Sequence, residues 1–487
     1  MNIKGSFPLS ESVDQNMMKQ FSDDDFLLSG DTARTLYRSF AQTLPITDPF
    51  TGLCIRDIAE NRRYANLTEL WLTPDPQKQD AMRNCGIDEA FITGEASDFE
   101  RFYAFASILP RLAGNPLYRR SQLELKRYFG CDQLLSAYTA EDIWHLTAEA
   151  LTDTPLRART LLAQGGTESV YAACDPAEPL TCFEALREES VETEVIPAFL
   201  PEGGLLCRER DYASRIAALG TAGGTEIGTL SDLKQVYLDR MNAFEACGCQ
   251  TALHRLDGSF RFDRAATERD IDSIFRRAVR SGARSISEQE EAKLRTHMLL
   301  FFGKEYRRRG WVMQLFTGNS PAANAVFTRT LYSTAASIFP CRDFRTLFEL
   351  FHALREMQAL PKVVLYPDVS EISNAGIPDA CLLASRFQGS DEWGLPTLRV
   401  SFTPGLCGMT PELFRHLAAH SPAGFLPCMP SAACTPLLGA FHEIFRRSVC
   451  RAIGSLADEG DFPLDWDVLG ELASGICYEN GKTLFGI

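Results

Sequence analysis

Short apolar or β-branched runs alternate with helix-patterned stretches along most of the chain, and this alternation restricts the fold more than any single motif. The runs are Leu44–Leu53, Glu168–Cys174, Val195–Leu200, Cys247–Leu256, Trp311–Thr317, Val363–Tyr366, Cys381–Phe387 and Gly424–Cys428. Between them lie Ser231–Ala246, Ala265–Arg277, Thr328–Ile338, Phe344–Met357 and Pro411–His420, which carry apolar residues at helical spacing. Strands that recur singly between helices run parallel, and eight of them suit a closed barrel better than an open sheet. The expected class is α/β, a (β/α)8 TIM-type barrel.

One region breaks the alternation. From Arg56 to Ala163 the pattern is helical, interrupted by Pro74, Pro76, Pro110 and Pro116, with no β-rich run. It reads as a helical subdomain inserted after the first strand. The expected organisation is an N-terminal arm over 1–28, a first helix and barrel strand over 29–55, the insert over 56–163, and the rest of the barrel over 164–487. The first helix starts near Asp31 and stops before Pro45, and a last amphipathic helix carries Val468, Leu469, Leu472 and Ile476.

The net charge is −15, which disfavours phosphate backbones and anionic lipid, so neither nucleic acid nor a membrane is an expected partner. The densest apolar stretch, Met298–Phe302, is too short to span a bilayer. Residues 1–25 contain no apolar secretory segment, and the 15 cysteines form no framework. They read as reduced thiols, which places the protein in the cytoplasm.

Several stretches carry a resemblance: Asp24–Leu28 (DDFLL), Ile58–Asn61 (IAEN), Leu67–Leu72 (LTELWL), Gly114–Tyr118 (GNPLY), Leu123–Gly130 (LELKRYFG), Gly310–Leu315 (GWVMQL), Leu360–Tyr366, Phe445–Arg447, Gly470–Leu472 and the terminal Phe485–Ile487. In order and content they resemble the uronate isomerases of the amidohydrolase superfamily. The resemblance implies a metal-associated barrel that interconverts glucuronate and fructuronate, with a His-x-His pair ending the first strand and an Asp on the last. Those histidine positions are Phe50 and Gly52 here. A following His-Tyr pair falls on Pro76 and Gln77, further histidines on Arg119, Gln122 and Phe316, an anion-binding arginine on Leu200, and a tryptophan pair on Arg386 and Phe387. The last-strand acid falls on Pro427-Cys428 or Ser431-Ala432, and no carboxylate lies between Glu412 and Glu443.

From these substitutions the expectation is a chain that has lost metal-dependent isomerisation and serves as a sugar-acid-binding or interaction homologue, with no metal and no cofactor. The alternative is a working uronate isomerase, converting D-glucuronate to D-fructuronate, or a metal-independent enzyme rebuilt on the same barrel. Expected partners are a small sugar acid and a second copy of the chain or a paralogue.

In a barrel, chemistry sits where strands end. His254, preceded by Leu253, is the one candidate catalytic residue, set against a structural role for a lone buried imidazole. Asp175, Asp368 and Arg386 are candidate ligand-binding residues, Arg386 offering a carboxylate a bidentate grip, set against plain ion pairing among themselves. Cys247 and Cys249 read as one strand with both thiols on one face. Cys428 is weighed as a nucleophile without a visible base. Arg119, Arg120 and Arg127 read as a solvated basic cluster.

Overall fold

In the computed structural model the described residues are 21, 23–153, 156–317, 323, 325–327, 343–367, 376–389, 396–402, 409–420, 422–428 and 430–486. The N-terminal residues 1–20, the expected helix Thr328–Ile338 and the candidate Asp368 lie outside them.

The chain opens on α1 (Asp31–Leu36), which widens into a π-helical turn over Tyr37–Ala41 before β1 (Ile46–Thr51). Six helices follow: α2 (Ile55–Ala59), α3 (Pro76–Asn84), α4 (Asp98–Ile108), α5 (Pro116–Phe129), α6 (Ala140–Asp153) and α7 (Ala158–Gln164). Their ends follow local chemistry. Ser97 and Glu100 form a capping box at the start of α4, Asn115 caps α5 ahead of Pro116, and Gly130 ends α5 at φ 64°, where a side chain would be strained. Trp71, Phe102, Phe105, Ile143 and Leu161 build an apolar cluster of their own in this region.

The alternating part then runs β2 (Thr167–Cys174), α8 (Thr181–Glu189), β3 (Glu194–Phe199), α9 (Tyr212–Ala222), α10 (Leu230–Ala246), β4 (Thr251–Arg255), α11 (Glu268–Ser281), α12 (Glu288–Arg309) and β5 (Val312–Phe316). It continues through α13 (Phe344–Glu356), β6 (Lys362–Tyr366), α14 (Gly376–Arg386), β7 (Leu398–Val400), α15 (Pro411–His420), α16 (Leu438–Asp458), α17 (Trp466–Ser474) and α18 (Asn480–Phe485). Among the described residues the seven strands pair in chain order, all parallel.

Side chains alternate across this sheet as strand geometry requires. Phe50, Tyr171, Ile196, Ala198, Leu253, Val312, Phe316, Val364 and Tyr366 fill the lumen. Val170, Ala172, Val195, Phe199, Ala252, Met313, Leu315, Val363 and Leu365 face the helices. Leu484 and Phe485 of α18 join the lumen cluster, and the Tyr171 hydroxyl donates to the Phe485 carbonyl at 3.2 Å.

Two expected strands are corrected. Cys381–Phe387 lies at the end of α14, where Ile377, Ala380, Cys381, Ala384 and Phe387 are buried at spacings of three and four while Leu382 and Arg386 are exposed. That is helical periodicity, and the seventh strand comes later. Gly424–Cys428 is not a strand, because Pro422, Pro427 and Pro430 withhold backbone donors from a ladder. The segment nevertheless bridges β7 and β1: Ser401 Oγ donates to the Pro427 carbonyl at 3.4 Å, Ala432 N to the Phe50 carbonyl at 3.0 Å, and Gly52 N to the Ala433 carbonyl at 2.8 Å.

Candidate functional site

At the carboxyl end of the strands the lumen is closed by aromatic rings. Phe50 lies 4.7 Å from Phe316 and 5.4 Å from Phe327, and Phe316 stacks on Tyr366 at 4.5 Å and 11°. At Gly52 an added Cβ would meet Val326 Cγ2 at 2.8 Å and Cys434 Sγ at 2.9 Å, so neighbours occupy the space a larger side chain needs. Beneath the rings, Gln314 donates to the Pro49 carbonyl at 2.9 Å and to Thr251 Oγ1 at 3.0 Å, and accepts from the Tyr366 hydroxyl at 2.9 Å.

The buried acid of β1 is already engaged. The Asp48 carboxylate accepts from Phe50 N at 3.2 Å and Ser431 N at 3.2 Å, and faces His442 Nε2 at 3.0 Å. Among the described residues no three His, Cys, Asp or Glu side chains are grouped to hold an ion. The donors present here do not fit the metal that the family resemblance implies.

Beside the closed lumen runs a cleft of about 390 Å³, between the end of β1, the α2–α3 segment and the bridging segment. Leu53, Cys54, Asp57, Arg62, Glu69 and Cys434 are among its walls. Arg62 pairs with Asp57 at 3.2 Å and Glu69 at 2.9 Å. Behind it lies a buried quartet. Lys78 Nζ is 3.2 Å from Asp75 and 2.9 Å from Glu124, Arg120 Nε is 3.3 Å from Glu124, Arg120 also pairs with Asp75, and Trp71 Nε1 donates to Glu124. Burial is the largest influence on Asp75 and favours its neutral form, yet the opposing charges of Arg120 and Lys78 hold its carboxyl below the usual range. The expected solvated basic cluster is corrected accordingly. Arg120 is buried in this quartet, and Arg127 pairs with Glu443 at 2.9 Å.

His254 lies on the helix-facing side of β4, one residue past the lumen-facing Leu253. Its Nδ1 is 3.1 Å from Glu202 and its Nε2 is 2.9 Å from the Tyr306 hydroxyl, with no exposed surface. Arg386 is exposed at the end of α14, away from the strand end where it was expected, because α14 occupies the stretch read as a strand. Cys247 caps α10 and Cys249 precedes β4, so they do not share a strand. Cys428 donates to the Thr47 carbonyl at 3.5 Å, and burial pushes its thiol far above the reactive range.

Asp175 does reach a strand end. With Glu178, Gly203, Arg215 and Tyr237 it lines a recess of about 200 Å³ between the ends of β2 and β3 and the helices α9 and α10. Burial raises the Asp175 carboxyl, and burial together with the neighbouring Asp175 charge pushes Glu178 up to about 7. Sequence reasoning missed Glu178 and Arg215. Glu178 lies three residues beyond Asp175 in the same loop and was within reach, whereas Arg215 comes from a helix that no pattern tied to that loop.

A family model described as glucuronate isomerase matches residues 18–485. A uronate isomerase of Lachnoclostridium phytofermentans is 32% identical over 481 residues, covering 96% of this chain and 100% of its own length. One from Caldanaerobacter subterraneus subsp. tengcongensis is 32% identical over 476 residues, covering 96% and 100%. Among solved structures, a uronate isomerase from Thermotoga maritima superposes with a TM-score of 0.84 at 24% identity, covering 96% and 100%. A glucuronate isomerase from Caulobacter crescentus does so at 0.81 and 19%, covering 95% and 96%. At these identities the structures speak for the barrel fold.

Proposed function

The chain belongs to the glucuronate isomerase family, and from that premise we propose that it isomerises a hexuronate between aldose and ketose forms, D-glucuronate to D-fructuronate. The observation that carries this reading is the 32% identity to uronate isomerases across 96% of the chain. That likeness overturns the expectation of a chain that has lost isomerisation and keeps only a binding role. The replaced residues at 50, 52 and 316 bear on the means of the reaction and not on family membership.

Aldose–ketose exchange needs a base to take the C2 proton, a group to stabilise the enediolate, and a hold on the sugar acid. The cleft at the barrel mouth contains groups of these kinds. Its volume of about 390 Å³ accommodates a six-carbon acid. Arg62 suits the substrate carboxylate, and Asp57 and Glu69 flank it as proton carriers. The test is proton NMR of D-glucuronate in D2O with purified protein. Growth of ketose signals with deuterium entering at C1 of the ketose supports the reading, and spectra identical to a protein-free blank overturn it.

No described helix is long and apolar enough to cross a membrane. The cysteines described are all free thiols, which supports the reducing cytoplasm as the working compartment. A small sugar acid and a second copy of the chain are the partners this reading carries.

A further inference from the structure

We propose that the recess between the ends of β2 and β3 and helices α9 and α10 is a second small-molecule site, separate from the mouth cleft, that takes a hydroxylated carboxylic acid of sugar-acid size. Arg215 receives the carboxylate, and Asp175 and Glu178 receive hydroxyls. Hydrogen-bonding capacity is left unused inside this cavity. Arg215 holds Asp211 through Nε at 2.9 Å, while its Nη1 is enclosed and has no partner. Glu178 accepts only a weak thiol contact, from Cys174 Sγ at 3.9 Å. Asp175 uses Oδ1 on Ala177 N at 2.8 Å and turns Oδ2 toward Gly203. Buried polar groups are ordinarily satisfied, so the enclosed Arg215 Nη1, facing a cavity shared with two half-buried carboxylates, calls for an occupant with complementary donors and acceptors.

Gly203 is where the groups converge. A Cβ there would lie 3.4 Å from Asp175 Oδ2 and 3.6 Å from Arg215 Cδ, so the missing side chain leaves a gap between acid and cation. Ala177, Ile216 and Leu219 supply an apolar wall for the C–H face of a ring. The volume of about 200 Å³ admits one such molecule. Two carboxylates with one guanidinium would repel an anion if both were ionised. Glu178, raised to about 7, is partly neutral near physiological pH, which eases that repulsion and lets the group donate as well as accept. Arg240, the other nearby cation, is engaged with the Pro176 and Glu178 carbonyls at 2.7 and 2.8 Å and leaves Arg215 to bind. This inference does not rest on the isomerase reading, because its test reads binding in a separate place.

The test is hydrogen–deuterium exchange of the full chain with millimolar D-glucuronate, on the native protein and on Arg215→Met and Ala218→Phe. Ala218 is exposed at the recess, so the larger ring blocks entry without entering the core. Slowed exchange over residues 175–179 and 201–206, with the concentration needed rising tenfold or more in both variants, supports the site. Protection confined to residues 53–79, or protection of the recess that both variants leave unchanged, overturns it.

Discussion

Phe50 and Gly52 show how closely single residues at the mouth depend on one another. Phe50 is fully buried against Phe316 and Phe327, so Phe50→Ala is expected to cost about 3–5 kcal/mol in denaturant unfolding. Gly52→His places atoms where Val326 and Cys434 already sit, and overpacking of this kind costs about 1–3 kcal/mol. The double change Phe50→His with Gly52→His is therefore expected to lower the melting temperature without creating a tight Zn²⁺ site, which elemental analysis would check. Glu178 gives a pH-dependent case. Its folded pKa of about 7 lies above the ordinary 4.5, so its stabilising contribution is complete below pH 4.5 and is lost as pH rises through 7. Glu178→Gln should leave stability near pH 4.5 unchanged and raise it by about 1–2 kcal/mol at pH 8.5, after allowance for solvent screening at this partly exposed group. Sequence could name Asp175 and His254 as neighbours of strand ends. It could not set the parity of β4, where Leu253 points into the lumen and His254 away from it, because a shift of one residue exchanges the two faces.

Among the elements, the eighth strand, which the described residues do not form, is the informative one. The segment that replaces it is fastened by Asp48, whose carboxylate joins Ser431 N to His442 at the start of α16. Asp48→Asn weakens a charge-assisted, fully buried arrangement and should destabilise the protein by about 2–4 kcal/mol. Faster amide exchange over residues 430–434 ahead of the β2–β3 core would confirm that the loss starts at this junction. Six strands were legible because each is a short, mostly apolar run, buried along nearly its whole length as a parallel sheet covered on both faces requires. The run at Cys381–Phe387 misled because five apolar residues close together satisfy a strand or one buried helix face, and only their contacts with neighbours decide. The segment around Pro427 reads as a strand by composition and fails as one by its prolines.

Across the whole molecule, the helical region between β1 and β2 is fixed to the barrel by specific contacts. Arg127 pairs with Glu443 at 2.9 Å, and Gly439 N donates to the Tyr128 hydroxyl at 2.9 Å. Those contacts position the mouth cleft and the buried quartet behind it. Order and spacing of motifs made the family and the barrel legible from sequence. The state of the mouth was legible as substitutions, but their effect on activity was not, since loss of one set of groups does not reveal which others take up the proton. The central claim is an isomerase whose described donors do not build an ion site. Its most direct test is the rate of D-glucuronate isomerisation after exhaustive chelation and removal of the chelator. An unchanged rate is the result expected here, whereas a rate abolished by chelation and restored by Zn²⁺ or Mn²⁺ would contradict it.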